Sequence, residues 1–148
     1  MKAPIGQEAD LEGYFAAGAK PRGRWGVGLE YERFGVLTDT LAPVPYEGER
    51  SIEALLHSLV RDHGWEPHEE DGRVLGARRG TTRITLEPGC QVELSGGVHA
   101  GLDAMRHELQ TYLEEIEAAA APRGITFLGV GMQPLAPLAR IPWIPKRR

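Results

Sequence analysis

The stretch ITLEPGCQVELSGG, residues 84–97, reads as two short strands that meet at a proline-glycine break. Because alternate side chains of a strand point to opposite sides of a sheet, Gln91 and Glu93 are predicted to share one face. Val92 and Leu94 share the other face, and their apolar side chains indicate that this face belongs to the core. The segment therefore carries a carboxylate on the polar face of a strand whose other face is buried.

A second stretch, GLEYERF at residues 28–34, has the same alternation. Its polar face carries Glu30 and Glu32, and its other face carries Tyr31 and Arg33. Carboxylates that line the polar faces of two strands are more typical of a binding site than of a solvated surface. These two stretches therefore contain the candidate functional residues.

Glutamates this close together need a counter-charge. Two ionised carboxylates about 4 Å apart repel by roughly 4 kcal/mol at an effective dielectric constant near 20. Hard divalent cations such as Mg²⁺ take oxygen ligands and leave positions for phosphate oxygens, so Glu30, Glu32 and Glu93 predict a Mg²⁺ or Mg–nucleotide site. The alternative is a set of cross-strand ion pairs with Arg24, Arg33, Arg79 or Arg83. The pattern alone leaves both interpretations open.

Hydrophobic periodicity divides the whole chain into helices and strands. Helices are predicted over residues 9–19, 51–63 and 102–121, and strands over residues 24–37, 65–70, 73–77, 81–87, 91–94 and 125–132. Asp10 and Ser51 are the predicted N-caps of the first two helices. The last strand is apolar on both faces and is predicted to be central. The order predicts an α+β fold, a mostly antiparallel sheet with helices packed on one face, which leaves the glutamate-bearing face open.

The bulk properties exclude several classes of function. A chain of 148 residues fits a single domain, and a net charge of −4 gives no electrostatic signal for nucleic acid. One cysteine allows no intrachain disulfide. The five histidines show no metal-ligand spacing and are expected to be solvated. No apolar run has the length of a membrane span or the character of a signal peptide. We therefore expect a soluble, cytoplasmic protein that binds neither nucleic acid nor membranes.

The three stretches VGLEYERFGV (27–36), ITLEPGCQVELSGG (84–97) and ITFLGVGMQPLAPLARIPWIPKRR (125–148) together resemble one family. It is the plant and proteobacterial type of glutamate–cysteine ligase. The order and spacing of the motifs agree over essentially the whole chain, and the pattern LEPGxQxELSG is specific to this family. The resemblance implies part of a glutamine-synthetase-like carboxylate–amine ligase fold.

The resemblance also implies a reaction. Such an enzyme uses ATP and Mg²⁺ to phosphorylate the γ-carboxylate of glutamate. The amine of cysteine then attacks the acyl phosphate and gives γ-glutamylcysteine, the first step of glutathione biosynthesis. Matched position by position, the implied roles are metal binding for Glu30, Glu32 and Glu93, substrate binding for Glu87 and Gln91, and catalysis for the basic residues Lys146 and Arg148. A basic group there fits electrostatic stabilisation of phosphoryl transfer.

Two departures from the family pattern affect these expectations. Cys90 replaces the usual glycine of LEPGGQ, which we expect to make the turn redox-sensitive. The chain ends at Arg148, inside the last motif, and its apolar, proline-containing tail is expected to pack on a segment that follows. We therefore expect residues 1–148 to be a single partial catalytic domain, the N-terminal portion of a longer ligase, and to be inactive alone.

Two alternatives stay open at this point. The chain could be a non-catalytic binding or interaction module that pairs with a separate C-terminal chain or with itself. It could also belong to a related ligase that joins glutamate to another amine, because the motifs concern glutamate and metal and not the acceptor.

Overall fold

The computed structural model describes residues 5–146, so Arg148 lies outside the described residues. The helices are α1 (Glu8–Gly18), α2 (Ile52–His63) and α3 (Leu102–Ala120). The strands are β1 (Glu30–Leu37), β2 (Glu66–Glu70), β3 (Arg73–Arg79), β4 (Thr82–Glu87), β5 (Gln91–Ser95) and β6 (Ile125–Leu128). Short 3₁₀ turns cover Arg22–Arg24, Ala121–Arg123 and Leu138–Arg140. None of the helices in this part of the chain is long and apolar enough to span a membrane.

The strands form one six-stranded sheet in the order β2-β3-β4-β5-β1-β6, and every neighbouring pair is antiparallel. The predicted α+β class and the antiparallel sheet are therefore confirmed. The hairpin between β2 and β3 turns at Asp71 and Gly72, which have positive φ values of 51° and 76°. Two consecutive residues in this region are what the favoured two-residue hairpin turn requires.

The core lies between one face of the sheet and helices α2 and α3. Ile52, Leu55, Leu56 and Leu59 form the buried stripe of α2, as the periodicity predicts. The Ser51 hydroxyl accepts a hydrogen bond from the backbone N–H of Ala54, and Gly64 ends the helix with φ 71°. Both ends of α2 are therefore as predicted, because a cap and a left-handed glycine are local features of sequence.

Helix α1 has a different N-cap from the predicted one. Gln7 is the N-cap, and Asp10 is the third helical residue of a capping box, whose carboxylate accepts hydrogen bonds from the backbone N–H groups of Gly6 and Gln7. Helix α1 buries no residue, and Leu11, Tyr14 and Phe15 are exposed. Only α2 and α3 therefore form the helical layer.

Two strand predictions are wrong. The first strand begins at Glu30 and not at Arg24, because residues 22–24 form a 3₁₀ turn and Val27 makes only an isolated bridge with His99. The last strand ends at Leu128, and it lies at the edge of the sheet and not in its centre. An apolar run without alternation does not reveal how many neighbours a strand has.

Arg50 links the loop that precedes α2 to the 3₁₀ turn that follows α3. The Arg50 guanidinium donates from Nη1 and Nη2 to the Asp39 carboxylate at 2.8 and 2.9 Å, and from Nε to the carbonyl oxygen of Arg123 at 2.9 Å. The hydrogen bond from Arg50 lowers the pKa of Asp39 from 3.8 to about 2. The ionised form of Asp39 is therefore the form that supports this link.

The Asp39 link gives a pH-dependent prediction. Because its folded-state pKa is lowered, its stabilisation is fully present above pH 3.8 and is lost as the pH falls towards about 2. We expect Asp39→Asn to lower the urea midpoint near neutral pH by a small amount, since the Asp39 side chain is 57% exposed. The difference between wild type and variant should shrink as the pH falls below 3.8. A difference that stays constant down to the lowest pH at which the chain folds would contradict the assignment.

Candidate functional site

The face of the sheet opposite the helices carries a row of carboxylates on β1 and β5. Glu32 lies directly opposite Glu93, and Glu30 lies opposite Ser95. Opposed residues of antiparallel strands share a face, so the three predicted metal ligands are neighbours on one surface. The residues that alternate with them face the core: Val92 and Leu94 are fully buried. The predicted assignment of faces is therefore confirmed on both strands.

Strand β4 extends this surface on the other side of β5. Thr85 lies opposite Glu93, and Glu87 lies opposite Gln91. The Thr85 hydroxyl donates to Glu93 Oε2 at 3.0 Å, and the Ser95 hydroxyl donates to Glu93 Oε1 at 3.1 Å. Both oxygens of Glu93 are therefore held by neutral donors, which orient the carboxylate without cancelling its charge.

The alternative interpretation, cross-strand ion pairs with arginines, does not hold. Within residues 5–146, neither Glu30, Glu32 nor Glu93 has a cationic side-chain nitrogen within 4 Å. Arg33 points to the helical side and is 5% exposed, and Arg79 pairs with Glu115 of α3 at 2.8 Å. Arg83 lies on the open face opposite Ser95, but within residues 5–146 it forms no ion pair with these three carboxylates.

The donor chemistry of these glutamates fits a hard cation, since all their donors are carboxylate oxygens. The positions of these carboxylates fit a metal site less well than their chemistry does. Among residues 5–146, no three side chains of the His, Cys, Asp and Glu types lie close enough together to hold a metal ion. The structure therefore brings Glu30, Glu32 and Glu93 onto one surface but does not gather their carboxylates at one point.

A large open cavity adjoins one end of this surface. It has a volume of about 1050 Å³. Glu32, Glu87 and Gln91 line it from the sheet, and Lys146 lines it from the tail. Apolar side chains of the tail, which include Ile141, Trp143 and Ile144, complete its wall. The cavity thus brings together one predicted metal ligand, both predicted substrate-binding residues and one of the two predicted catalytic residues. The other one, Arg148, lies outside the described residues.

Part of the tail packs on the sheet, although the sequence predicts that it packs on a segment that follows. The Cγ2 atom of Ile141 lies 2.8 Å from the position that a Cβ on Gly89 would occupy. Gly89 has φ 79°, so the Pro-Gly turn needs glycine for its conformation and for this close approach. Trp143 and Leu138 remain 86% and 87% exposed.

Cys90 follows Gly89 in the same turn and has φ 59°, although it is not a glycine. Its thiol is buried, at 2% exposure, and burial raises its pKa from 9.0 to about 12. Thiolates are the reactive form of cysteine. The expectation that this residue makes the turn redox-sensitive is therefore wrong, because the thiol is both inaccessible and neutral.

A polar cluster that no sequence pattern indicates lies at the other end of β5. The Glu108 carboxylate on α3 accepts a hydrogen bond from the Thr82 hydroxyl, contacts His99 Nε2 at 2.9 Å and accepts from the backbone N–H of Gly97 at 3.0 Å. Burial raises the pKa of Glu108, and these hydrogen bonds outweigh burial, so that the net pKa is lowered. His99 is thus not solvated as expected. The three side chains lie in separate elements, so no spacing could reveal the cluster.

The chain has relatives among known proteins along its whole length. Residues 26–148 match the family described as Glutamate-cysteine ligase family 2 (GCS2). The chain is 38% identical over 148 residues to glutamate–cysteine ligase A, chloroplastic, of Oryza sativa subsp. japonica, of which it covers 29%. It is 39% identical over 145 residues to the chloroplastic glutamate–cysteine ligase of Solanum lycopersicum and 37% identical over 145 residues to that of Arabidopsis thaliana, covering 27% of each. The chain spans less than a third of the length of these relatives.

Proposed function

Since this chain belongs to glutamate-cysteine ligase family 2, we propose that its open sheet face forms part of a site where ATP drives the ligation of glutamate to cysteine. The reaction joins the γ-carboxylate of glutamate to the amine of cysteine and gives γ-glutamylcysteine. The observation that supports it is the row of Glu30, Glu32 and Glu93, three carboxylates on adjacent strands that have no ion-pair partner within residues 5–146.

In this proposal Glu30, Glu32 and Glu93 hold Mg²⁺, whose charge neutralises the phosphate oxygens of ATP. The hydroxyls of Thr85 and Ser95 keep the Glu93 carboxylate aimed along the open face. Their role is orientation: each donates one hydrogen bond and brings no charge.

Glu87, Gln91 and Lys146 act on the substrates from the wall of the adjoining cavity. Gln91 is 7% exposed and lines this cavity, and its side-chain amide offers both a donor and an acceptor to the glutamate substrate. The Lys146 ammonium is exposed and supplies positive charge near the acyl and phosphoryl groups. Arg148 is proposed to add a second positive charge there.

The chain alone is proposed to lack activity. Phosphoryl transfer depends on several charged groups held in position at once. This chain covers only 29% of the length of the Oryza sativa ligase. The predicted ligands are also not gathered at one point. We therefore propose that the remaining ligands, and most contacts to ATP, come from polypeptide beyond these residues, whether in a longer protein or in a separate chain.

The test is a chimera in which this chain replaces the matching segment of the Oryza sativa ligase. We expect γ-glutamylcysteine formation by the chimera and no glutamate-dependent ADP release by the 148-residue chain alone. In the chimera, Glu93→Gln should lower kcat by about 10²-fold or more, the range seen when one electrostatic contact to the transition state is lost. Glu12→Gln, on the exposed helix α1, is the matched control and should leave kcat unchanged.

Two results would contradict the proposal. One is a folded chimera that makes no γ-glutamylcysteine. The other is an active chimera in which Glu93→Gln has no more effect than Glu12→Gln. Replacing cysteine by other small amines in the same assay tests the alternative that this chain belongs to a ligase with a different acceptor.

A further inference from the structure

Arg83 is a cation on the open face of the sheet, beside the carboxylate row. It lies opposite Ser95 of β5, which lies opposite Glu30 of β1, so these three residues form one row across three strands. Glu93 is its diagonal neighbour on β5, and such positions are about 7–8 Å apart, within reach of a long side chain. Arg83 is exposed, and among residues 5–146 it forms no ion pair. Its charge is therefore available to a ligand on this face.

The neighbour of Arg83 on its other side is also a cation. Arg78 of β3 lies directly opposite Arg83, and like charges in this position repel. Glu66 of β2 forms an ion pair with Arg78, whereas Arg83 has no such partner in the described part of the chain. Repulsion from Arg78 and attraction by Glu30 and Glu93 act in the same direction. Both favour a guanidinium that lies over β5 rather than over β3.

The order of side chains along β4 and β5 separates three kinds of group. Glu87 and Gln91 lie opposite each other at the end that borders the large cavity. Glu93 lies in the middle, and Arg83 lies at the other end. Four residues separate Arg83 from Glu87, which is about 14 Å along an antiparallel strand. The proposed glutamate-binding residues and Arg83 are therefore on opposite sides of the proposed Mg²⁺ site.

This order matches what phosphoryl transfer requires. A γ-carboxylate oxygen of glutamate attacks the γ-phosphorus of ATP, and the bond from that phosphorus to the β–γ bridging oxygen breaks. The electron pair of the broken bond stays on the bridging oxygen, which becomes part of the β-phosphate of ADP. The attacking and leaving oxygens lie roughly in line, on opposite sides of the phosphorus. A glutamate substrate held at the cavity end therefore puts the leaving phosphate at the Arg83 end.

We propose that Arg83 binds the β-phosphate of ATP and stabilises the negative charge that collects there as ADP leaves. The inference rests on the proposed function, since it takes the carboxylate row as the metal site and the cavity as the glutamate site. A guanidinium presents two parallel N–H groups that match two phosphate oxygens. The carboxylates of glutamate are the competing anions, and they belong to the opposite end of the face.

The first experiment uses the ¹⁵N-labelled 148-residue chain, with sodium tripolyphosphate as a probe for the phosphate chain of ATP. The Arg83 Nε–H resonance is recorded at slightly acidic pH and assigned by its loss in Arg83→Lys. In the presence of Mg²⁺ we expect tripolyphosphate to cause a saturable shift of this resonance and of the backbone N–H groups of Thr85 and Ser95. Sodium glutamate at equal ionic strength should cause no saturable shift of the Arg83 Nε–H.

Variants distinguish a specific contact from a general effect of positive charge. Arg83→Gln should weaken tripolyphosphate binding, read through the amides of Thr85 and Ser95, by about tenfold or more, as expected for one hydrogen-bonded charge contact. Arg83→Lys should be intermediate, because it keeps the charge and loses the paired N–H groups. Arg78→Gln is the matched control on the same face. It should have a much smaller effect, because Arg78 is already paired with Glu66.

Kinetics in the chimera with the Oryza sativa ligase test the catalytic part of the inference. A contact to the leaving phosphate becomes stronger as charge develops in the transition state. Arg83→Gln should therefore lower kcat as well as raise the KM for ATP, and it should leave the KM for glutamate unchanged. Arg106→Gln, on the exposed face of α3, should change none of these quantities.

Three outcomes would overturn the role of Arg83: no saturable shift with tripolyphosphate in the wild type, equal binding by the wild type and Arg83→Gln, or an equal shift with glutamate. Glu93→Gln tests the metal site separately, since it should remove the enhancement of tripolyphosphate binding by Mg²⁺. An enhancement that persists in Glu93→Gln, while Arg83→Gln still weakens binding, would contradict the metal site of the proposed function and support the Arg83 contact.

Discussion

Leu94→Ala is expected to lower the free energy of unfolding by about 2–5 kcal/mol, the range for removing a buried leucine side chain from a packed core. Leu94 is fully buried on the helical side of β5, where it lies opposite Tyr31 of β1 and Ile84 of β4. The variant leaves a cavity beneath the middle of the sheet. The strands on either side of β5 cannot shift to fill it without breaking their hydrogen bonds to β5.

The matched control is the preceding residue. Glu93 points to the open face, so Glu93→Gln should leave the free energy of unfolding within about 0.5 kcal/mol of wild type, or raise it slightly by relieving repulsion from Glu32. Urea denaturation of both variants, followed by circular dichroism, measures the difference. Equal losses of stability in the two variants would mean that the two faces of β5 are wrongly assigned.

Cys90 should react with a thiol-specific disulfide reagent about a thousandfold more slowly in the folded chain than an exposed thiol does. Burial raises its pKa from 9.0 to about 12, and the reactive thiolate becomes rarer by the same factor. Its 2% exposure also blocks the reagent. The release of the chromophore from Ellman's reagent at mildly alkaline pH measures the rate.

Because Cys90 is the only cysteine, the signal needs no deconvolution. The chain in denaturing urea supplies the control and should react at the rate of an ordinary thiol. Leu94→Ala should speed up labelling of the folded chain, since a less stable protein opens more often. Rapid labelling of the native wild type would contradict the buried position of this thiol.

The alternation of side chains can be predicted from sequence because the period of a strand is fixed at two. Once Val92 and Leu94 are assigned to the core, Glu93 must face the other way. The same rule places Arg33 on the helical side, which excludes it as an ion-pair partner for Glu32. Arg33 is next to Glu32 in the sequence, and this proximity alone makes it a candidate ion-pair partner. The direction of its side chain rules it out.

Other features depend on contacts between distant segments and could not be predicted. Strand β6 is apolar along its length, yet it is an edge strand, because the number of its neighbours depends on the topology of the sheet. The Glu108 cluster joins three elements through side chains with no common spacing. The aromatic surroundings of Arg33 likewise come from β1, β6 and α3. Whether the carboxylates of the open face converge depends on side-chain torsions and bound cations.

The strand order has a consequence for how the chain folds. Strands β2 to β5 follow one another as neighbours, so each can pair with its predecessor through a short loop, whereas β1 pairs with β5 and β6, which come much later in the chain. Closing that long loop costs more chain entropy, and non-local pairings slow folding. The β1–β5 pair carries Glu32 and Glu93. The carboxylate surface of β1 and β5 is therefore built across a non-local strand pair, which we expect to form after the local pairs among β2 to β5.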